Sequence, residues 1–285
     1  MPDRIGVIGG TGLYVLDGFE DVHGVSVETP FGRPSEQPVI GRRDGREVVF
    51  IPRHGRGHYL SPSEVPYRAN IYAMKALGVT RIFSVSAVGS MKEDISLTVP
   101  VLVDQFIDRT YLRRSTFFGE GLVAHVSMAE PTCPAMRALV AERARACGIE
   151  VLEGGTYLCM EGPQFSSRAE SLMYRKLDVD VIGMTNATEA KLAREAEICY
   201  VTIAIPTDYD CWHADHEDVS VGSVVERLDA GTSKARALIL DAICHVDEAG
   251  PCTCQEALKG AIITARDRIS PAARERLGLL IDRYL

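Results

Sequence analysis

Three short stretches of this chain carry residue types that hold an oxyanion. Gly9-Gly10-Thr11-Gly12 follows the apolar run Arg4 to Ile8. A Gly-rich turn there lets backbone N–H groups and the Thr11 hydroxyl approach a ligand closely. Arg53-His54 follows the run Val48 to Pro52 and pairs the forked donors of a guanidinium with an imidazole. Ser86-Ala87-Val88-Gly89-Ser90 follows Arg81 to Val85 and reads as a small-residue turn that offers hydroxyls. Each signal is weak by itself. Strand–helix alternation puts like strand ends on one face, so together they describe one anion site.

Two carboxylates stand at another such end. Val181-Ile182-Gly183 breaks into Met184-Thr185-Asn186, and Ile203-Ala204-Ile205-Pro206 breaks into Thr207-Asp208-Tyr209-Asp210-Cys211-Trp212. In open α/β sheets the carboxyl ends of strands bind ligands, which places Asp208 and Asp210 at a site. Glu161-Gly162-Pro163-Gln164-Phe165-Ser166 forces a turn that presents Phe165 as a flat apolar wall and Ser166 as a donor. His125 lies in a long connection, where an imidazole is more often solvated than functional.

The elements that must position these groups alternate along the chain. Strand patterns cover Arg4–Ile8, Val48–Pro52, Arg81–Val85, Val99–Asp104, Thr156–Met160 and the two runs above. Helical patterns begin at Ser61, as N-cap with Pro62 in the first turn, and stop at Gly78. Others cover Pro134–Cys147, a segment capped by Ser167 with Ala169, Leu172 and Met173 on one face, 187–197, and 220–247. Asp108 to Ala124 reads as loop, and the Gly250-Pro251 break precedes a last helical segment ending at Leu285. No repeat or low-complexity tract appears, which predicts a single domain over 1–285.

Composition narrows the function classes. The formal charge of −8 argues against nucleic-acid or anionic-membrane binding, which needs a basic face. Met1-Pro2-Asp3-Arg4 leads straight into an apolar run without the features of a signal peptide, and no run approaches a membrane span; a cytoplasmic location is expected. The eight cysteines are scattered, none with CxxC spacing, and the histidines complete no zinc pattern, so no metal is expected. Cys252-Thr253-Cys254 is the exception, open to a disulfide or to two reduced thiols. His213-Ala214-Asp215-His216-Glu217-Asp218 reads as a solvated or lid loop rather than a metal cluster.

These residues carry a resemblance. Gly9-Gly10-Thr11-Gly12-Leu13, Arg53-His54-Gly55, Ser86-Ala87-Val88-Gly89-Ser90, Asp104 to Thr110, Met128-Ala129-Glu130-Pro131, Glu161 to Glu170, Gly183-Met184-Thr185 and Thr207 to Trp212 together span residues 5 to about 225. The chain resembles the purine nucleoside phosphorylase family, in particular its methylthioadenosine-cleaving branch. The Glu161–Glu170 and Thr207–Trp212 stretches are highly specific; the Gly-rich turn alone is not.

The resemblance implies an α/β fold with a mixed, partly barrel-like central sheet flanked by helices, assembled as a homotrimer or homohexamer. It implies reversible phosphorolysis of S-methyl-5'-thioadenosine to adenine and 5-methylthioribose 1-phosphate, or a broader activity on adenosine and other purine nucleosides. No cofactor is implied, since inorganic phosphate is a co-substrate. Phosphate ligands map to Thr11, Arg53, His54, Ser86, the Ala87 backbone N–H and Thr185. Purine and ribose ligands map to Phe165, Ser166, Met184, Asp208 and Asp210. Val221 and Val224 match apolar positions around the methylthio group, and His125 matches a residue that a neighbouring subunit lends to the 5' end.

The chemistry of bond cleavage agrees. Breaking an N-glycosidic bond gives the ribosyl group cationic character, which an adjacent phosphate both offsets and captures. A carboxyl with its pKa raised by burial can protonate the departing purine, the role given to Asp208. The 6-oxopurine relatives generally have Asn where this chain has Asp208 and Glu where it has Ser166, so an acidic site facing a 6-amino group is expected. Two departures stand out: Ser86 where many relatives have Thr, and Asn186-Ala187-Thr188 where Thr-Val-Pro is more usual. A nucleosidase using water and a non-catalytic nucleoside sensor are the rival readings, and the oxyanion groups argue against both.

Overall fold

The computed structural model describes residues 3–9, 18–214, 219 and 221–285, the side chains of 221, 223–226 and 228–230 excepted. Its strands are β1 (Arg4–Gly9), β2 (Glu20–Gly24), β3 (Val39–Arg43), β4 (Arg46–Pro52), β5 (Val79–Ser90), β6 (Val101–Val103), β7 (Gln105–Asp108), β8 (Leu152–Glu153), β9 (Thr156–Cys159), β10 (Val181–Gly183) and β11 (Cys199–Asp208). The helices are α1 (Tyr67–Ala76), α2 (Pro134–Ala146), α3 (Arg168–Arg175), α4 (Asn186–Glu195), α5 (Val221–Cys244) and α6 (Pro271–Ile281), with short 3₁₀ turns among them.

The sheet branches at β5. Val79–Ser84 pair in parallel with β1 on one side and Arg81–Gly89 pair in parallel with β11 on the other, while Gly89 and Ser90 pair antiparallel with β10. From β1 the sheet continues through β4, β3 and β2; from β10 it continues through β9 to β7; from β11 it continues through β6 to β8. β6 and β7 are separated in the chain by Asp104 alone. The two arms therefore meet, and β5, β11, β6/β7, β9 and β10 close a small ring, the barrel-like part of an otherwise open mixed sheet.

Hydrophobic pattern explains the layers. β11 is buried at all ten positions, as a central strand covered on both faces must be. Pro206, which cannot donate to a ladder, sits where the register with β5 slips. One face of the sheet packs against α1, α4 and α6 through Ile71, Met74, Leu192 and Leu277. The other packs against α2 and α5 through Met136, Val140, Leu238 and Ile239. Among the described residues no helix is long and apolar enough to cross a membrane.

Several expectations need correcting. α1 begins at Tyr67, not at Ser61. Proline restricts the residue before it, so Pro66 keeps Val65 out of the helix. Ser61 and Glu64 instead close a turn, Ser61 N donating to Glu64 Oε2 at 2.9 Å. Ser86–Ser90 is strand, not turn, because the register with β11 and β10 holds it extended. β2, β3, β7 and β8 have no counterpart in the sequence reading. Ser167 does cap α3, in a capping box with Glu170, yet Leu172 and Met173 are exposed and Ser171 and Tyr174 face inward. The cysteines are scattered only in sequence: Cys133, Cys199, Cys252 and Cys254 bring their sulfurs within 4.8 Å of one another.

Candidate active site

A cavity of about 770 Å³ opens at the carboxyl ends of β4, β5, β10 and β11. Its lining includes Arg53, His54, Ser86, Ala87, Phe165, Met184, Thr185, Asp208 and Asp210, so nine of the expected residues converge. Topology accounts for this. β11 carries Asp208 to the level of Gly89 on β5, and β10 carries Met184 and Thr185 just past Ile182, which pairs with the same Gly89. Arg53 is tied to the end of β1 by its N–H, which donates to Gly9 O at 2.9 Å.

One end of the cavity is built for an anion. Thr185 is the N-cap of α4, so the positive end of that helix faces the lining. Ser86 Oγ is buried without a hydrogen-bond partner among the described residues, an unspent hydroxyl beside the helix terminus. His54 is nearly buried and stacks on His58 with ring centroids 4.2 Å apart. Burial, reinforced by the charge of Arg53, holds its pKa down at about 4. The ring is therefore neutral; Nδ1 donates to Leu60 O at 2.9 Å, which leaves Nε2 as an acceptor.

Arg53 is engaged differently from the sequence reading. Its forked face goes to Glu189, Nε to Oε1 at 2.5 Å and Nη2 to Oε2 at 3.1 Å. Nη2 also donates to Ser84 Oγ at 2.7 Å and Nη1 to Val85 O at 2.9 Å. A guanidinium has five N–H groups, so one Nη1 hydrogen remains for a ligand. Burial opposes the charge, yet Glu189 more than offsets it and the pKa stays above the ordinary arginine value.

The other end is acidic. Asp208 accepts from Thr207 Oγ1 at 2.8 Å and from Asp210 N at 2.9 Å. Those bonds favour the carboxylate, but burial outweighs them and the nearby Asp210 charge adds to it, so the pKa is raised. Burial raises Asp210 as well, and its Oδ2 has no hydrogen-bond partner among the described residues. Both carboxyls are thus set to meet a donor-bearing ligand or to carry a proton.

Of the other five expected residues, two are placed outside the lining and three fall outside the described residues or side chains. Ser166 is buried but outside the lining, its Oγ 3.7 Å from Met160 Sδ and its carbonyl accepting from Cys211 Sγ at 3.3 Å. His125 is exposed on the connection between β7 and α2, away from this chain's own cavity, with its N–H donating to Ala261 O at 2.9 Å. Thr11 lies outside the described residues, as do Asp215–Asp218 of the acidic loop. Val221 and Val224 begin α5, but their side chains lie outside the description.

The supporting residues were largely invisible in the sequence. Arg113, in the segment read as loop, donates Nη1 to Met184 O and to Tyr67 OH, and Nε to Glu161 Oε1 at 3.2 Å. Glu161 also accepts from Tyr111 N at 2.6 Å. This network holds the Met184 carbonyl in place. Asn186, the first residue of α4, reaches Ser84 Oγ, Tyr200 OH and Thr202 Oγ1 with Nδ2, tying the helix terminus to the sheet.

Known proteins resemble this chain in sequence and in fold. The profile of the phosphorylase superfamily matches residues 4–244. The S-methyl-5'-thioadenosine phosphorylase of Geobacter sulfurreducens is 54% identical over 286 residues, covering all of both chains. A methylthioadenosine phosphorylase from an antarctic soil metagenomic library superposes with a TM-score of 0.92 at 45% identity, over 98% of this chain and 99% of that one. The methylthioadenosine phosphorylase of Schistosoma mansoni, solved in complex with adenine, gives 0.86 at 35% identity, over 93% and 99%. The chain belongs to the phosphorylase superfamily, in its S-methyl-5'-thioadenosine phosphorylase family.

Proposed function

We propose that this chain catalyses the reversible phosphorolysis of S-methyl-5'-thioadenosine to adenine and 5-methylthioribose 1-phosphate, serving purine and methionine salvage. One observation carries the reading: a buried carboxyl with a raised pKa, Asp208, shares a cavity with a helix N-terminus at Thr185 and with the hydroxyl of Ser86, which has no hydrogen-bond partner among the described residues. Phosphate sits at the α4 end, against Thr185, Ser86, the Ala87 N–H and the remaining Arg53 N–H, with Thr11 completing the shell. The neutral His54 accepts a hydrogen bond from a protonated phosphate oxygen. Adenine sits at the other end, its exocyclic amine and ring nitrogens facing Asp210 and Asp208, with Phe165 as a wall and Met184 under the ribose.

Phosphate attacks C1' as the glycosidic bond lengthens, and its charge offsets the cationic ribosyl group. Asp208 delivers a proton to N7 so that adenine leaves neutral. No cofactor or catalytic metal is required, and phosphate is the co-substrate. The single 285-residue domain works in the cytoplasm as a homotrimer or homohexamer, in which His125 reaches the 5' end of a nucleoside bound by a neighbour. Its exposure outside this chain's own cavity supports that arrangement. Val221 and Val224 are assigned to the methylthio group.

Methylthioadenosine cleavage measured with and without phosphate tests this. Turnover that requires phosphate supports it. Equal turnover without phosphate makes the protein a nucleosidase, and tight binding without turnover makes it a sensor. Adenosine in the same assay sets the breadth of the 5' pocket, and faster cleavage of inosine overturns the acidic-site reading.

A further inference from the structure

Far from the cavity, four sulfurs meet. Cys133 is the residue before α2, Cys199 is the first of β11, and Cys252 and Cys254 belong to the tail, flanking and entering the 3₁₀ turn Thr253–Glu256. All four Sγ atoms lie within 4.8 Å of one another, and Cys199 Sγ is 3.0 Å from Cys252 Sγ. Three of the four side chains are nearly fully buried. We propose that Cys133, Cys199, Cys252 and Cys254 form a closed tetrathiolate site for one tetrahedral soft divalent cation, zinc by its chemistry, which fastens the carboxyl-terminal tail to the sheet.

The dimensions suit the ion. Four Zn–S bonds of about 2.3 Å in a tetrahedron place the sulfurs roughly 3.8 Å apart, inside the spread observed here. A disulfide needs contact at about 2.0 Å and joins sulfurs in pairs. Here four converge on one point from three separate parts of the fold. Thiolates also find support. Cys133 sits at the N-terminus of the 13-residue α2, where the helix field favours negative charge. On binding, the cation takes the place of the thiol protons, which pass to solvent.

A site with four protein ligands leaves no open position, so it is structural. Asp208 is at the far end of the ten-residue β11, roughly 30 Å off at the rise of an extended strand. What the ion would hold is the tail. Beyond the site, Leu258 N donates to Glu197 Oε1 at 2.9 Å, Ile263 N donates to Val123 O at 3.0 Å, and Ala261 O accepts from His125 N. The clamp therefore sits at the root of the segment that backs the exposed His125 loop.

The test uses the full chain, reduced, incubated with zinc chloride and then dialysed. Elemental analysis should give about one zinc per chain, and zinc X-ray absorption should show four sulfurs at about 2.3 Å. Cobalt in place of zinc should show the visible bands of a tetrahedral thiolate complex. Cys254→Ser should lose most of the bound metal and melt at lower temperature, with turnover at 25 °C unchanged because it touches no substrate. If that variant does not fold, the absorption spectrum of the unaltered protein decides alone. Less than about a tenth of an equivalent of zinc after dialysis overturns the proposal, whether mass analysis finds free thiols or disulfides.

Discussion

A methyl group on Gly89 would stand 2.9 Å from Asp208 Oδ1, closer than carbon and oxygen pack. The bare Cα of β5 is what lets the carboxyl lie against the strand at the point where β11 slips register. The same methyl would press on Ile182 Cγ2 at 3.0 Å and approach Asp210 N at 3.4 Å. Gly89→Ala should therefore displace the acid rather than unfold the protein. We expect kcat to fall about 100-fold, as a misplacement near 1 Å does, with a stability loss of about 1–3 kcal/mol from overpacking. Steady-state kinetics beside thermal melts check this, and an unaltered kcat would show that Asp208 needs no such seat.

In the proposed mechanism Asp208 acts in its protonated form, which is depleted as pH rises through its raised pKa. The kcat/KM profile for methylthioadenosine should thus fall on its alkaline side. Asp208→Asn should lose about 10²–10⁴ in rate and lose that limb. Asp210→Asn removes a neighbouring charge that helps raise Asp208, so it should move the limb to lower pH. A wild-type limb in Asp208→Asn would remove the general-acid role.

The parts of the site legible in the sequence are those announced locally. Arg53-His54, Thr185 and Asp208 each follow an apolar run, and strand ends on one face converge. The parts that were not legible depend on partners remote in the chain. Glu189 reads as one more helical carboxylate, yet it takes the fork of Arg53 from across the core. Ser86–Ser90 has the composition of a turn, but pairing with β10 and β11 outweighs propensity. Leu172 and Met173 form the apolar face of α3 on paper, while Tyr174 makes the contact to the Trp212 cluster. Cys133 and Cys199 have no spacing that points to Cys252, because only the fold brings them together.

Ser86 Oγ, buried and without a hydrogen-bond partner among the described residues, bears the desolvation cost of a hydrogen bond it does not make with them. Ser86→Ala should leave the ligand-free protein equally stable or slightly more so. A hydrogen bond to a charged group is worth about 1.5–3 kcal/mol, so the phosphate KM should rise roughly ten- to a hundredfold. The thermal shift produced by phosphate should shrink in parallel. A phosphate KM unchanged in the variant would place the anion elsewhere.

His54 titrates at about 4 in the folded chain and near 6.5 when unfolded. Between these values the unfolded chain binds the proton and the folded chain does not, so stability falls as pH drops from 6.5 to 4 and is level below. The contribution is at most about 3 kcal/mol. Asp208 and Asp210, raised by burial, act in the opposite sense, so the difference between proteins isolates His54. His54→Asn keeps a donor for Leu60 O and should flatten that slope in urea titrations. An equal slope in both proteins would mean that the imidazole is not held neutral.

Glu189 and Arg53 are 3% and 1% exposed at their side chains, and Glu189 also accepts from Ser84 Oγ and Tyr200 OH at 2.8 Å. Glu189→Gln leaves the guanidinium buried without its counter-charge, which costs about 3–5 kcal/mol in such pairs. The same change unmasks a positive charge beside the anion end of the cavity, where one Nη1 hydrogen already points to spare capacity. Stability and phosphate binding should consequently move apart: a lower melting temperature, together with a lower phosphate KM in the molecules that remain folded. Phosphate added during the melt should recover part of the loss, since ligand binding stabilises the folded state in proportion to its affinity. A rise in phosphate KM would show instead that Glu189 serves the anion by orienting Arg53, and that the fork geometry outweighs the net charge.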